Sequence, residues 1–183
     1  MKTVLILLMA IGLVAPTMAQ SPAVAGAATA KIEWLTWDQA AKRMEKEPRK
    51  IMVDVYTDWC GWCKRMDATT MTDPGVIKVI NTQYYAVKMD GEYKNDIVFK
   101  GRTYKFINNG RRGYHELPAE LMNGNMSYPT LVFLDEAYGI IQPLPGYQEP
   151  RQLEPILAYF GGDFHKNTPW DKFSQSYKGA SAQ

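Results

Sequence analysis

The chain has 183 residues, 46% of them apolar, and a formal net charge of +2 from 21 basic and 19 acidic side chains. Charges of both signs are interspersed, which gives no footing for nucleic acid or an acidic polymer as a partner. The length beyond any leader suits one domain with a full core, and the chain has only two cysteines to spend on chemistry.

Met1 to Ala19 opens with Lys2, runs through an apolar stretch from Val4 to Ala15 and closes on Pro16-Thr17-Met18-Ala19. Charge, apolar core and small-residue site in that order predict a secretory signal peptide over 1–19. The core is short for a bilayer span and no second hydrophobic stretch follows, so no stable membrane insertion is expected. No cysteine stands at the cleavage point to carry a lipid; an uncleaved anchor is the competing reading. The mature chain is expected to be exported, periplasmic or secreted. Residues 20–30, rich in Ala, Ser, Pro and Gly, read as a flexible leader with too little bulk to pack. The folded domain is expected over 31–165, with a tail over 166–183.

Thr36 with Gln39 three residues on is a capping-box pattern. Trp37, Ala40, Ala41 and Met44 form an apolar stripe, and Glu47-Pro48 stops the helix. Ile51 to Tyr56 is β-branched and aromatic enough for a buried strand, with one acid, Asp54, inside it. After Cys60 the spacing of Cys63, Met66, Asp67 and Thr70 changes to that of a helix, with Lys64 and Arg65 on its wet side. Asp73 then caps a third helix with Pro74 in its first position, and Tyr84 to Met89 returns as a strand. A strand, a helix and a strand in this order demand a parallel pair joined by a right-handed crossover.

The two cysteines sit in Cys60-Gly61-Trp62-Cys63, at the strand-to-helix turn. A sulfur at a helix N-terminus meets unpaired N–H groups and the positive end of the dipole, which favour a thiolate. The thiolate is the nucleophile of disulfide exchange, so the segment reads as a redox site. Three other uses fit less well. Closing so short a loop gains only about 2 kcal/mol, which makes a poor staple. Zinc needs four ligands, and His115 and His165 form no H-x-x-x-H partner for the pair. Covalent haem needs His after the second cysteine, where Lys64 stands. No metal and no cofactor beyond the Cys60–Cys63 disulfide is expected.

Residues 91–127 make a long insertion for a plain loop. It is dense in aromatics and in Lys and Arg, with a turn at Asn108-Asn109-Gly110 and a short helix from His115 to Met122 stopped at Asn123-Gly124. It is expected to be helical, either as a packing layer or as a partner-selecting rim. His115 reads as a surface or packing residue. Thr130–Asp135 and Ile140–Leu144 form a hairpin whose second strand, with Pro143 and Pro145, is an edge. Glu149 to Phe160 is the closing helix, and Phe164, Trp170 and Phe173 make the tail too aromatic for a linker.

The segment V-D-V-Y-T-D-W-C-G-W-C-K resembles the active-site segment of thioredoxin-fold proteins, usually V-D-F-W-A-x-W-C-x-x-C-K. Tyr128-Pro129-Thr130 followed by L-V-F-L-D-E resembles the cis-proline segment of that fold, and Gly146 matches a further glycine. The likeness covers about Trp34 to Phe160; Thr72-Asp73-Pro74-Gly75-Val76 is most similar to exported members, among them the periplasmic thioredoxin-like domain of the thiol–disulfide interchange reductase. The resemblance implies an α/β fold with a central mixed sheet flanked by helices and the insertion placed before the cis-proline. It implies Cys60 as nucleophile, Cys63 as resolving thiol and Asp54 as a buried proton relay approached by Lys88. Trp59, Gly61, Trp62, Tyr128 and Pro129 would meet an extended substrate strand. The activity implied is thiol–disulfide exchange by a monomer with protein thiols and disulfides and an upstream thiol donor, most similar to reductases. An oxidase, an isomerase or a non-catalytic binding module on the same fold remain alternatives.

Overall fold

The structure is a computed structural model and describes residues 31–179; the expected signal peptide and leader lie outside them. The elements in order are β1 (Trp34–Leu35), α1 (Trp37–Met44), β2 (Lys50–Tyr56), α2 (Gly61–Thr69), a 3-10 turn at Thr70–Thr72, α3 (Pro74–Gln83) and β3 (Tyr84–Asp90). Then come β4 (Ile97–Phe99), β5 (Arg102–Tyr104), β6 (Phe106–Ile107), β7 (Tyr114–His115) and α4 (Glu116–Leu121). β8 (Thr130–Leu134), β9 (Ile140–Pro145), α5 (Pro150–Gly161), a 3-10 turn at Phe164–Lys166 and α6 (Trp170–Ser176) complete the chain.

Five strands form one mixed sheet in the order β1-β3-β2-β8-β9. β3 runs parallel to both β1 and β2, while β8 is antiparallel to β2 and to β9. Central strands buried on both faces must be apolar throughout, and β2 and β8 read that way apart from Asp54 and the ends. One face of the sheet, with Met52, Ala86, Leu131 and Phe133, packs on α2, α3, α5 and α6 through Met66, Ile80, Leu157 and Phe173. The other, with Val53, Val55, Val87 and Val132, packs on α1 and on the insertion through Trp37, Met44, Leu117 and Leu121. This is a three-layer thioredoxin-like α/β fold.

The expected caps are present. Thr36 and Gln39 form a reciprocal capping box on α1, and the Asp73 carboxylate accepts from the N–H groups of Gly75 and Val76 at 2.9 and 3.1 Å. The helix of α1 closes at Met44, three residues short of the Glu47-Pro48 stop. β9 is one edge of the sheet, where its two prolines need no partner on the open side.

The expectation of a helical insertion needs correction. Residues 91–127 contain two antiparallel hairpins, β4–β5 and β6–β7, before the short α4. The first hairpin turns on Lys100 and Gly101, both at positive φ (49° and 75°), the conformation that joins twisted strands without splaying them. The second turns through Asn108–Gly113, where Asn109 Oδ1 accepts from the Gly113 N–H at 2.9 Å. α4 ends at Asn123 and Gly124, both left-handed (φ 55° and 76°), as the sequence predicts.

Candidate active site

β2 delivers the chain to the active-site turn. The Cys60 N–H donates to the Thr57 carbonyl at 3.1 Å, and Cys60 then stands at the N-cap of α2 with its sulfur accepting the Cys63 N–H at 3.0 Å. A sulfur that already accepts a helix N-terminal N–H is placed to hold negative charge. Cys60 and Cys63 are joined in a disulfide. Both cysteines are buried, Cys60 at 5% and Cys63 at 2% exposure; Cys60 is flanked by the exposed Trp59, Gly61 and Trp62, whereas Cys63 lies with Met66 on the buried side of α2.

Asp54, six residues before Cys60, is wholly buried in β2. Its register partner across the parallel pair is Lys88, whose Nζ donates to Asp54 Oδ2 at 2.6 Å and also to Asp67 on α2. Asp67 is four residues after Cys63, so both occupy one side of α2, and the Lys88 ammonium ties that side of the helix to Asp54. Asp54 Oδ1 is buried without a hydrogen-bond partner. Burial pushes the Asp54 carboxyl above the ordinary aspartate range, and the adjacent Lys88 charge opposes this only in part. Burial works against the charge on Lys88 as well, but Asp54 and Asp67 outweigh it and hold the ammonium above the usual lysine value.

In front of the disulfide, the Tyr128–Pro129 peptide bond is cis. Trp62, Tyr128, Pro129, Gly146 and Tyr147 line an open groove of about 280 Å³. The Tyr128 ring meets Trp59 edge-on at 5.8 Å, and burial, aided by Glu92 and Asp90, pushes its hydroxyl up to about 12. The Trp59 indole N–H donates to Glu92 at 3.0 Å. Trp62, Tyr128 and Pro129 thus share one groove, Trp59 meets Tyr128, Cys60, Gly61 and Cys63 belong to the helix N-terminus that carries Trp62, and Lys88 ties Asp54 to the same helix through Asp67.

Three contributors were not legible in the sequence, nor was the place where Arg112 of the basic, aromatic insertion comes to rest. Tyr147 lines the same groove, its ring tilted 45° against Trp62 at 5.5 Å. Gly91 leaves room for Tyr128, since a Cβ there would lie 2.5 Å from the tyrosine hydroxyl; its N–H and carbonyl pair with Tyr56 and His115. Asp67 shares Lys88, and Arg112 lies over Trp59 at 4.1 Å. A glycine at the strand end was the one visible signal; the rest depend on chain closure. His115 is a packing residue: wholly buried, it accepts the Leu117 N–H on Nδ1 and donates from Nε2 to the Asn95 carbonyl, each at 3.2 Å.

Sheet order, cis-proline and C-x-x-C at a helix N-terminus together define a thioredoxin-fold protein with a redox-type cysteine pair. The chain belongs to the Thioredox_DsbH family, described as a protein of unknown function, DUF255, whose model matches residues 16–136. It is 26% identical over 167 residues to the uncharacterized protein B0495.5 of Caenorhabditis elegans, covering 90% of this chain but only 21% of that protein's length. Among solved structures it resembles a thioredoxin from Thermus thermophilus (TM-score 0.54, 18% identity, 74% of this chain and 93% of that one). A thioredoxin-fold protein from Helicobacter pylori aligns with a TM-score of 0.52 at 17% identity, over 70% of this chain and 78% of that one. A DsbH oxidoreductase aligns over 89% of this chain and 96% of its own at a TM-score of 0.50 and 16% identity. At these identities the likeness to the solved structures is one of fold.

Proposed function

We propose that the protein is an exported thiol–disulfide oxidoreductase that reduces disulfides in other proteins. The observation that carries this reading is the Cys60 sulfur at the N-cap of α2, accepting a backbone N–H on the helix whose Trp62 lines an open groove. In the reduced protein the Cys60 thiolate attacks one sulfur of a substrate disulfide. A Cys60–substrate bond forms, the substrate S–S bond breaks, and the departing thiolate takes a proton.

Cys63 then gives its proton to the Asp54 carboxylate and attacks the Cys60 sulfur. The mixed disulfide breaks, the second substrate thiol leaves, and two electrons have passed to the substrate. The protein is left with the Cys60–Cys63 disulfide, which an upstream thiol donor reduces. Lys88 steadies Asp54 as it gains and loses charge. The free edge of the Tyr128-Pro129 backbone pairs with the substrate strand, while Trp59, Gly61 and Trp62 form the surface around the attacking sulfur. The protein acts as a monomer and needs no metal or cofactor.

Insulin reduction with a dithiol donor tests the exchange activity, with Cys60→Ser inactive. A wild-type protein without activity would leave a binding module as the reading. The reduction potential against glutathione decides direction: a value near that of thioredoxin supports a reductase, a much higher one an oxidase or isomerase. Sequencing the mature N-terminus from extracytoplasmic fractions tests export and cleavage after Ala19.

A further inference from the structure

Two tryptophans flank the disulfide, Trp59 at 50% and Trp62 at 56% exposure. Each carries an arginine on its ring. The Arg112 guanidinium lies 4.1 Å from the Trp59 centroid, and that of Arg65 lies 5.4 Å from Trp62 and 5.7 Å from Tyr147. Arg65 comes from α2 and Arg112 from the β6–β7 turn, so the insertion supplies one of the two stacks. That turn is held: Gly113, at φ 75°, packs so closely that a Cβ would lie 2.3 Å from the Phe106 ring. Lys94 in turn covers Phe106 at 3.4 Å.

Arg43, Arg49, Arg102 and Arg151 each form an ion pair with a carboxylate. The arginines without one among the described residues are Arg65, Arg111 and Arg112, all exposed, on the active-site helix and the turn over Trp59. A guanidinium held over a ring by its face can still offer N–H groups to a carboxylate; Arg65 also donates to the Tyr147 hydroxyl. Lys64 and Lys94 add positive charge. Asp58, Glu92 and Asp90 oppose it, but Glu92 is engaged by the Trp59 indole and Asp90 by the Glu92 N–H at 2.9 Å.

We propose that these two Trp–Arg stacks form a recognition rim for polypeptides whose reacting cysteine is flanked by acidic side chains. The inference rests on the oxidoreductase reading. A strand lying along the groove over Pro129 would present its cysteine to Cys60 and its flanking carboxylates to Arg65 and Arg112. The insertion thereby contributes partner choice and leaves the exchange chemistry to the cysteines.

Three peptide disulfides test this, identical and amidated except for Glu, Gln or Lys on both sides of the cysteine. Their rates with reduced protein are divided by their rates with dithiothreitol, which removes the effect of flanking charge on the leaving thiol. The Glu peptide is expected to react about 10-fold faster than the Lys peptide at low salt, with the ratio falling as salt screens the rim. In Arg65→Gln/Arg112→Gln the ratio should collapse toward unity.

Equal rates in wild type, or a ratio that survives the double substitution, overturns the inference. A second arm measures binding of the S-methylated peptides to Cys60→Ser/Cys63→Ser protein, where no exchange can occur. Tighter binding of the Glu peptide without exchange in wild type leaves the rim standing and sinks the oxidoreductase reading. Exchange without peptide preference does the reverse.

Discussion

Asp54 and Cys60 lie six positions apart in one segment, and both are buried, but only Cys60 stands at a helix N-terminus. Burial raises the proton affinity of Asp54, and a free thiol titrates at about 8.5 unless positive potential lowers it. Reduced Cys60 is therefore expected to titrate below that value and to alkylate faster than Cys63 near neutral pH. Thiolate absorbance and mass-mapped alkylation check this, and preferential labelling of Cys63 would contradict it.

Asp54→Asn removes a buried carboxyl with one unpartnered oxygen, while Lys88 keeps Asp67 as a partner. It should stabilise the fold by about 1–3 kcal/mol and slow resolution of the mixed disulfide. The sign with pH follows from linkage. The folded-state value is raised, so the native protein holds more protons than the unfolded chain, and wild-type stability falls as pH rises from the ordinary aspartate value through the raised one. The advantage of Asp54→Asn should grow over that window and then level off. Urea denaturation at several pH values measures it; a loss of stability at neutral pH would contradict the burial argument.

At the scale of elements, the sequence exposed what depends on local pattern and hid what depends on closure. The strand from Ile51, the caps at Thr36 and Asp73 and the turn to α2 were legible because each is coded within a few residues. The hairpin β4–β5 was not, since its first turn residue is Lys100, and lysine does not announce the left-handed conformation as Asn or Asp would. The Cys60, Cys63, Asp54 and Pro129 positions were legible by motif; Arg112 over Trp59 required two hairpins to close first.

His115 fixes that insertion by capping α4 and holding Asn95, and burial lowers its affinity for a proton. The folded-state value is below the unfolded one, so this contribution is present at neutral pH and is lost as pH falls through the depressed value. Hydrogen exchange should show the Leu117 amide less protected at pH 5 than at pH 7.5, after correction for intrinsic rates, while β2 stays protected. Equal loss of protection in β2 and α4 would show that His115 does not act locally.

For the molecule as a whole, the sheet is a platform with the cysteine helix on one face and the insertion on the other, and both reach the same rim. The chain after α5 belongs to this body: Phe173 is buried, with Tyr159, Phe164, Trp170 and Tyr177 around it. Phe173→Ala should cost about 3–5 kcal/mol in a single unfolding transition. An unchanged denaturation midpoint would mean that α6 contributes nothing to the core.

In the proposed mechanism Cys60 attacks disulfides and Cys63 resolves them. The most direct measurement incubates reduced Cys63→Ser with a peptide disulfide and maps the adduct by mass spectrometry. A stable mixed disulfide on Cys60 is expected, with no adduct when Cys60 is also replaced by serine and turnover without accumulation in wild type. A Cys63→Ser protein that forms no adduct, or a Cys60→Ser protein whose Cys63 is trapped as readily, would contradict it.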